Sequence, residues 1–269
     1  MAQDDPRTEL AAIAASLRAY VEWQQDSGSA GFPRAPVPEE APPRLTAENR
    51  AGSTVAAPAA VTPAATPPVD TASKRVVTLP KLAGEVAVCT RCALSASRTQ
   101  TVFARGNPEA KLCFVGEAPG ADEDAQGLPF VGRAGQLLDR MIGAMGLSPE
   151  RDVYVCNIIK CRPPDNRRPE PDEMAACMPY LHEQLAIINP RVIVALGGTA
   201  VAGLLNTKLG ITKLRGQWKL YRGTLVMPTY HPSYLLRPSP QQIEAKRQAW
   251  HDLQLVMKEL GLPTKPGAG

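Results

Sequence analysis

Beyond about residue 74 the sequence predicts an α/β domain with three layers, α/β/α, around a central sheet of four mostly parallel strands. Three observations predict it. Four short runs rich in β-branched and apolar residues recur along the chain. Helical patterns separate them, so each pair of strands is joined by a crossover. Each run ends in turn-forming or polar residues, where open sheets of this kind bind ligands.

The first strand is Lys111–Gly116 (KLCFVG), and GEAPG (116–120) follows it. A helical pattern spans Ala134–Met145. The second strand is Asp152–Asn157 (DVYVCN), followed by a helix over Asp172–Ile188. The third strand is Arg191–Leu196 (RVIVAL); a Gly-Gly pair and a helix over Thr199–Leu205 come next. The fourth is Thr224–Thr229 (TLVMPT), which runs into YHPSY (230–234). A last helix spans Gln241–Leu260.

Two further segments precede this domain, taken as 74–269. Residues 1–27 are expected to form an N-terminal helix, since Leu10, Ile13, Leu17, Tyr20 and Val21 recur at helical spacing. Residues 28–73 are expected to be a disordered linker: nine Pro and eleven Ala fall between Gly28 and Thr71, with few large apolar residues. Such a stretch buries too little surface to offset the entropy of ordering it. Charge divides along the same line. Residues 1–73 carry five Arg against nine acids, and the remainder of the chain holds a net +8. A basic body fits a polyanionic partner, although a solvated face explains the same numbers.

No apolar run approaches the roughly 20 residues of a membrane helix. The opening MAQDDPRTEL is acidic and lacks the apolar stretch of a secretory signal. The expectation is a cytoplasmic protein with no membrane partner. In that compartment the six cysteines read as metal ligands or core residues rather than disulfides. Cys113 and Cys156 sit inside apolar strands and read as core. Cys89 and Cys92 form a CxxC pair, Cys161 lies in KCRPP, and Cys177 lies on the next helix. Four thiols so placed suit zinc or an iron–sulfur cluster. The open second pair fits the larger group better, and four unrelated thiols remain the simpler alternative.

The runs GEAPGADEDAQGLPFVGRAGQLLDRM (116–141), NIIKCRPPDNRRPEP (157–171) and HPSYLLR (231–237), with the cysteines interleaved, resemble the iron–sulfur family 4 uracil-DNA glycosylases of bacterial type. The resemblance spans about Cys89 to Leu260 and leaves an N-terminal extension outside it. It implies the uracil-DNA glycosylase-like fold and a [4Fe–4S] cluster on Cys89, Cys92, Cys161 and Cys177. It implies a monomer acting on uracil in single- and double-stranded DNA, to which it would localise in the nucleoid. The N-terminal helix would then be free to dock on a protein partner.

The chemistry so implied assigns roles residue by residue. A glycosylase extrudes its nucleotide into a pocket and breaks the bond between sugar and base. Phe130 would stack on uracil. Asn157 would read the pyrimidine edge with one donor and one acceptor. His231 would donate to the developing uracil anion. Glu117, Ala118 and Pro119 would complete the pocket. Related glycosylases carry an Asp where this chain has Ala118, so Glu117, then Glu123, are the candidate catalytic carboxylates. Ser233 would grip phosphate. Leu235 and Leu236 would fill the gap left by the extruded base, at least one of them being buried instead. Arg162, Arg167, Arg168 and Arg237 would flank the DNA backbone. His182 and His251 read as structural.

A non-catalytic DNA-binding module with a structural four-cysteine metal would need the basic face and the metal. It would have no use for Phe130, Asn157 and His231 together at strand ends. A related branch that forms a covalent adduct through a histidine-containing loop is disfavoured, because AQGLPFVGRAG (125–135) contains no histidine.

Overall fold

A computed structural model describes residues 71–263, with side chains from residue 78 onward. The helix expected within residues 1–27, and all but the end of the linker, lie outside the described residues. The linker was expected to reach residue 73, but helix α1 (Thr71–Ala87) already begins at Thr71. Pro80 inside α1 hides the helix from a pattern reading. Its apolar face is nevertheless regular, with Leu79, Leu82 and Val86 buried at helical spacing.

The sheet has six strands where the sequence predicted four. They are β1 (Arg105–Gly106), β2 (Leu112–Gly116), β3 (Val153–Asn157), β4 (Val192–Leu196), β5 (Lys219–Tyr221) and β6 (Thr224–Thr229). Their order is β1-β3-β2-β4-β6-β5. The four inner strands are parallel, with Phe114 level with Val155 on one side and Val194 on the other. The two additions are short antiparallel edges, β1 on β3 and β5 on β6. Strand β5 carries no usual hairpin signal in the sequence, because its turn is Arg222-Gly223, both at positive φ (48° and 86°). Arginine is an unusual first residue for such a turn.

The helices are α2 (Ala121–Gln126), α3 (Arg133–Ala144), α4 (Pro171–Ile188), α5 (Gly197–Leu205), α6 (Ile211–Leu214), α7 (Pro232–Leu235) and α8 (Gln242–Leu260). None of the described helices is long and apolar enough to cross a membrane. Every residue of β2, β3 and β4 is buried. The strands are therefore covered on both faces, and their side chains sort by parity. Leu112, Phe114, Val153, Val155, Val192 and Val194 pack with Leu138 and Ile142 of α3 and Leu253 and Val256 of α8. Cys113, Val115, Tyr154, Cys156, Ile193 and Ala195 pack with Leu82, Leu181 and Val201 from α1, α4 and α5. Cys113 and Cys156 are fully buried there.

Strand β2 lies between β3 and β4, so the chain leaves it in one direction and returns past it in the other. Right-handed crossovers then put α3 on one face and α4 and α5 on the opposite face. The loops part above the carboxyl end of β2, which opens a crevice there.

Candidate active site

One cleft occupies that crevice, with about 1740 Å³ of empty space, part of it open to solvent. Each inner strand delivers its last residues to it. Glu117, Ala118, Pro119 and Gly120 come from β2, Asn157 from β3, Gly197 and Gly198 from β4, and Tyr230 and His231 from β6. Phe130 enters from the loop between α2 and α3.

Phe130 is 6% exposed and holds a left-handed backbone at φ 57°. A bulky side chain rarely takes that conformation unless its surroundings enforce it. The ring lies over the end of β2. A Cβ on Gly116 would stand 2.5 Å from the Phe130 ring and 2.4 Å from Asn157 Oδ1. Glycine at 116 is what lets the Phe130 ring and the Asn157 amide come together.

Asn157 is 1% exposed. Its Oδ1 is buried and has no hydrogen-bond partner among the described residues. An acceptor in that state costs stability unless a ligand supplies the missing donor. Its backbone carbonyl accepts from Lys160 Nζ at 2.8 Å, and the same ammonium reaches Gln184 Oε1 at 2.6 Å.

His231 caps α7. Its Nδ1 accepts from Ser233 N at 3.1 Å and lies 2.8 Å from Ser233 Oγ. With Nδ1 accepting, the neutral ring carries its proton on Nε2. Although the residue keeps some solvent contact at the cleft, protein surrounds most of the ring. That burial, with Arg237 adding like charge, pushes His231 down to about 4. The ring is therefore a neutral donor at ordinary pH. Ser233, expected to grip phosphate, instead turns its N–H and its hydroxyl toward His231.

Glu117, Ala118 and Pro119 line the cleft. Glu123 corrects the expectation of a second catalytic carboxylate. Its Oε1 accepts from Val131 N and Gly132 N, and its Oε2 from Gly120 N, all at 3.0 Å. Both oxygens are occupied, so Glu123 ties the Phe130 loop to the GEAPG turn. Asp124 does similar work next to it, accepting from Thr99 N with both oxygens at 3.0 Å.

On the outer rim, Leu235 is 2% exposed and packs with Ala245 and Ala249 of α8. It is therefore a core residue, whereas Leu236 is only half-buried. Arg237 and Arg168 are exposed and line the cleft. Arg162 bonds Asn166 Oδ1 at 2.9 Å. Arg167 also lines the cleft, and its guanidinium grips both oxygens of Glu173 at 2.9 and 2.7 Å. The bond to Glu173 also holds Arg167 raised and Glu173 lowered from their ordinary values. That pair fastens the RPP loop to α4.

A second cavity, of about 300 Å³ of empty space, brings Cys89, Cys92, Cys161 and Cys177 together. Among the described residues no three His, Cys, Asp or Glu side chains are gathered closely enough for a single ion. Four thiols lining one cavity are a donor set that would suit zinc or an iron–sulfur cluster. Burial pushes Cys177 up to about 11, against the opposing charge of Lys160. Burial also raises Cys161, whose sulfur receives a hydrogen bond from Arg98 Nη1 at 3.3 Å. The same guanidinium bonds the carbonyls of Cys89 at 2.7 Å and Ala87 at 3.3 Å. Arg98 lies outside the motif runs and Lys160 inside one, beside Cys161, and only the folded chain shows what either touches.

The profile of the uracil DNA glycosylase superfamily matches residues 103–254. A type-4 uracil-DNA glycosylase of Thermotoga maritima is 52% identical over 153 residues, which cover 55% of this chain and 78% of that protein. Those of Sulfurisphaera tokodaii and Saccharolobus solfataricus are 47% and 46% identical over 168 residues, 59% of this chain and 76% and 77% of theirs. With more than half of the chain matched by the profile, and most of each relative covered, the chain belongs to the uracil DNA glycosylase superfamily.

Proposed function

We infer that this protein is a DNA N-glycosylase that flips uracil out of DNA and hydrolyses its N-glycosidic bond. The product is an abasic site, the starting point of base excision repair. One observation carries the reading. Phe130, Asn157 and His231 meet in one cleft, and a buried Asn157 oxygen there lacks a donor. Uracil N3–H supplies that donor, and the amide nitrogen meets O4. Cytosine presents the reverse pattern at both positions, so this orientation of the amide rejects it.

The remaining residues divide the work. Phe130 stacks on the extruded ring. As the glycosidic bond breaks, negative charge grows on uracil O2, and His231 Nε2–H donates to it as a neutral acid. Such a donor is worth about 10²–10³ in rate. Glu117, beside the cleft floor, polarises or positions water for attack on the sugar. Arg168, Arg237 and Leu236 engage the strand, the leucine filling the gap left in the stack.

Cys89, Cys92, Cys161 and Cys177 hold a [4Fe–4S] cluster in this reading. When bound, it supplies a cross-link from the CxxC segment to the loop after Asn157. The four sulfurs around one cavity and the Arg98 hydrogen bond to Cys161 support it. The test is incubation of the full chain with a uracil-containing oligonucleotide, then alkaline cleavage of abasic sites. Cleavage at uracil that is lost in His231→Ala supports the reading. An iron-loaded protein that leaves uracil DNA intact overturns it.

A further inference from the structure

Arg105 stands on the edge strand β1, outside every run that carries the family resemblance, yet its side chain ends beneath Phe130. Its Nε donates to the Pro129 carbonyl at 2.8 Å and its Nη2 to the Phe130 carbonyl at 3.4 Å. The same Nη2 pairs with Asp139 of α3. The Arg105 side chain is 14% exposed, and its 2.8 Å bond to the Pro129 carbonyl is the shorter of the two backbone contacts. From the other side α3 closes on the same peptide. A Cβ on Gly135 would stand 1.7 Å from the Phe130 carbonyl oxygen.

Phe130 needs such a clamp. Its φ of 57° is one that phenylalanine leaves when nothing holds it. Any return to an ordinary conformation swings the ring away from Gly116 and Asn157. The guanidinium binds two consecutive carbonyls and is itself anchored by a carboxylate, so it fixes the orientation of the peptide as well as its position. A lysine in its place offers a charge without the planar fork.

We propose that Arg105 is a positioning residue for uracil recognition, acting through Phe130 by locking its left-handed backbone, and touching neither base nor sugar. The proposal rests on the reading that Phe130 stacks on uracil.

A double-mutant cycle on the full chain tests it, with the single-turnover rate on a uracil oligonucleotide as readout. Arg105→Ala is expected to slow excision about tenfold or more, within the range of one lost base stack. Arg105→Lys should recover little of this, and it carries the same cycle if the alanine variant does not fold. In a Phe130→Ala background either substitution should cost less than about twofold, because the ring it served is gone. Affinity for abasic product DNA should stay within about twofold throughout, since no base remains to stack. Full additivity with Phe130→Ala overturns the proposal, because Arg105 then acts on the fold alone. Full rescue by lysine overturns it too. A neutral Phe130→Ala beside an inactive His231→Ala overturns the stacking role itself, and this proposal with it.

Discussion

Phe130 and His231 meet ring to ring across the cleft, with centroids 5.6 Å apart and planes tilted by 32°. That is contact distance for an aromatic pair, so no base slides between them. Uracil lying on the phenylalanine must therefore present an edge, not a face, to the imidazole. Removing the edge donor should be the costliest single change. His231→Ala is expected to lower kcat by about 10²–10³. Glu117→Gln should cost less, and a larger loss there would reverse the ranking of leaving-group stabilisation over water activation.

The pH profile should carry the mark of the same histidine. Burial lowers its folded-state value from 6.5 to about 4. Between those values the unfolded chain takes up the extra proton and the folded chain does not. The contribution of His231 to stability is therefore full above 6.5 and is lost as pH falls toward 4. Excision should hold level through mildly acidic pH and lose its histidine-dependent part only near 4. NMR titration of the imidazole checks this directly. A midpoint near the ordinary value would mean that the ring is solvated.

Leu235 and Leu236 are neighbours that differ in burial. Leu235→Ala should destabilise the domain by about 2–5 kcal/mol, as core truncations do, and slow both substrate forms alike. Leu236→Ala should leave the melting temperature nearly unchanged and slow duplex substrates more than single strands. Equal loss on both forms would remove Leu236 from the wedge role.

Glu123→Ala should be read by melting as well as by kinetics. It deprives three backbone N–H groups of their acceptor, at about 1–3 kcal/mol for each one left buried and unpaired. A lower melting temperature with a slower rate is expected, and Glu123→Gln should be milder. A rate loss with an unchanged melting temperature would return Glu123 to the chemistry.

Iron removal should act on the fold before it acts on chemistry. The cavity is lined by thiols of the CxxC segment, the loop after Asn157 and α4, so a bound cluster would join these three segments. Chelation should bleach the visible absorbance of the cluster, lower the melting temperature and make Cys89 and Cys92, the more exposed pair, react first with thiol reagents. Unchanged melting after complete iron loss would reject the cross-linking role.

The inner sheet was legible because its strands are buried on both faces, which leaves unbroken apolar runs in the sequence. The cleft was legible because strand ends in such sheets carry the ligand. What stayed hidden depended on partners distant in sequence. The edge strands β1 and β5 are only two and three residues long and show no period. Glu123, Ser233 and Arg167 looked free to act because their charge or hydroxyl is visible in sequence and their acceptors and donors are not. Leu235 and Leu236 are chemically alike, so only the packing of α7 on α8 separates them. Arg105 gave no signal, since its partners are two backbone carbonyls and Asp139, all more than 20 residues away in sequence.

A ring that is clamped before substrate arrives changes who does the moving. Arg105, Gly135 and Glu123 leave the Phe130 loop little room to adjust, so the nucleotide must travel the whole distance out of the helix. The work of extraction then falls on the duplex, and it is smallest where pairing is already poor. A uracil opposite guanine, the mark of a deaminated cytosine, should leave the helix more readily than one opposite adenine. Preference for the damaged pair would then come from the weakness of the lesion itself, with no residue needed to inspect the opposite strand.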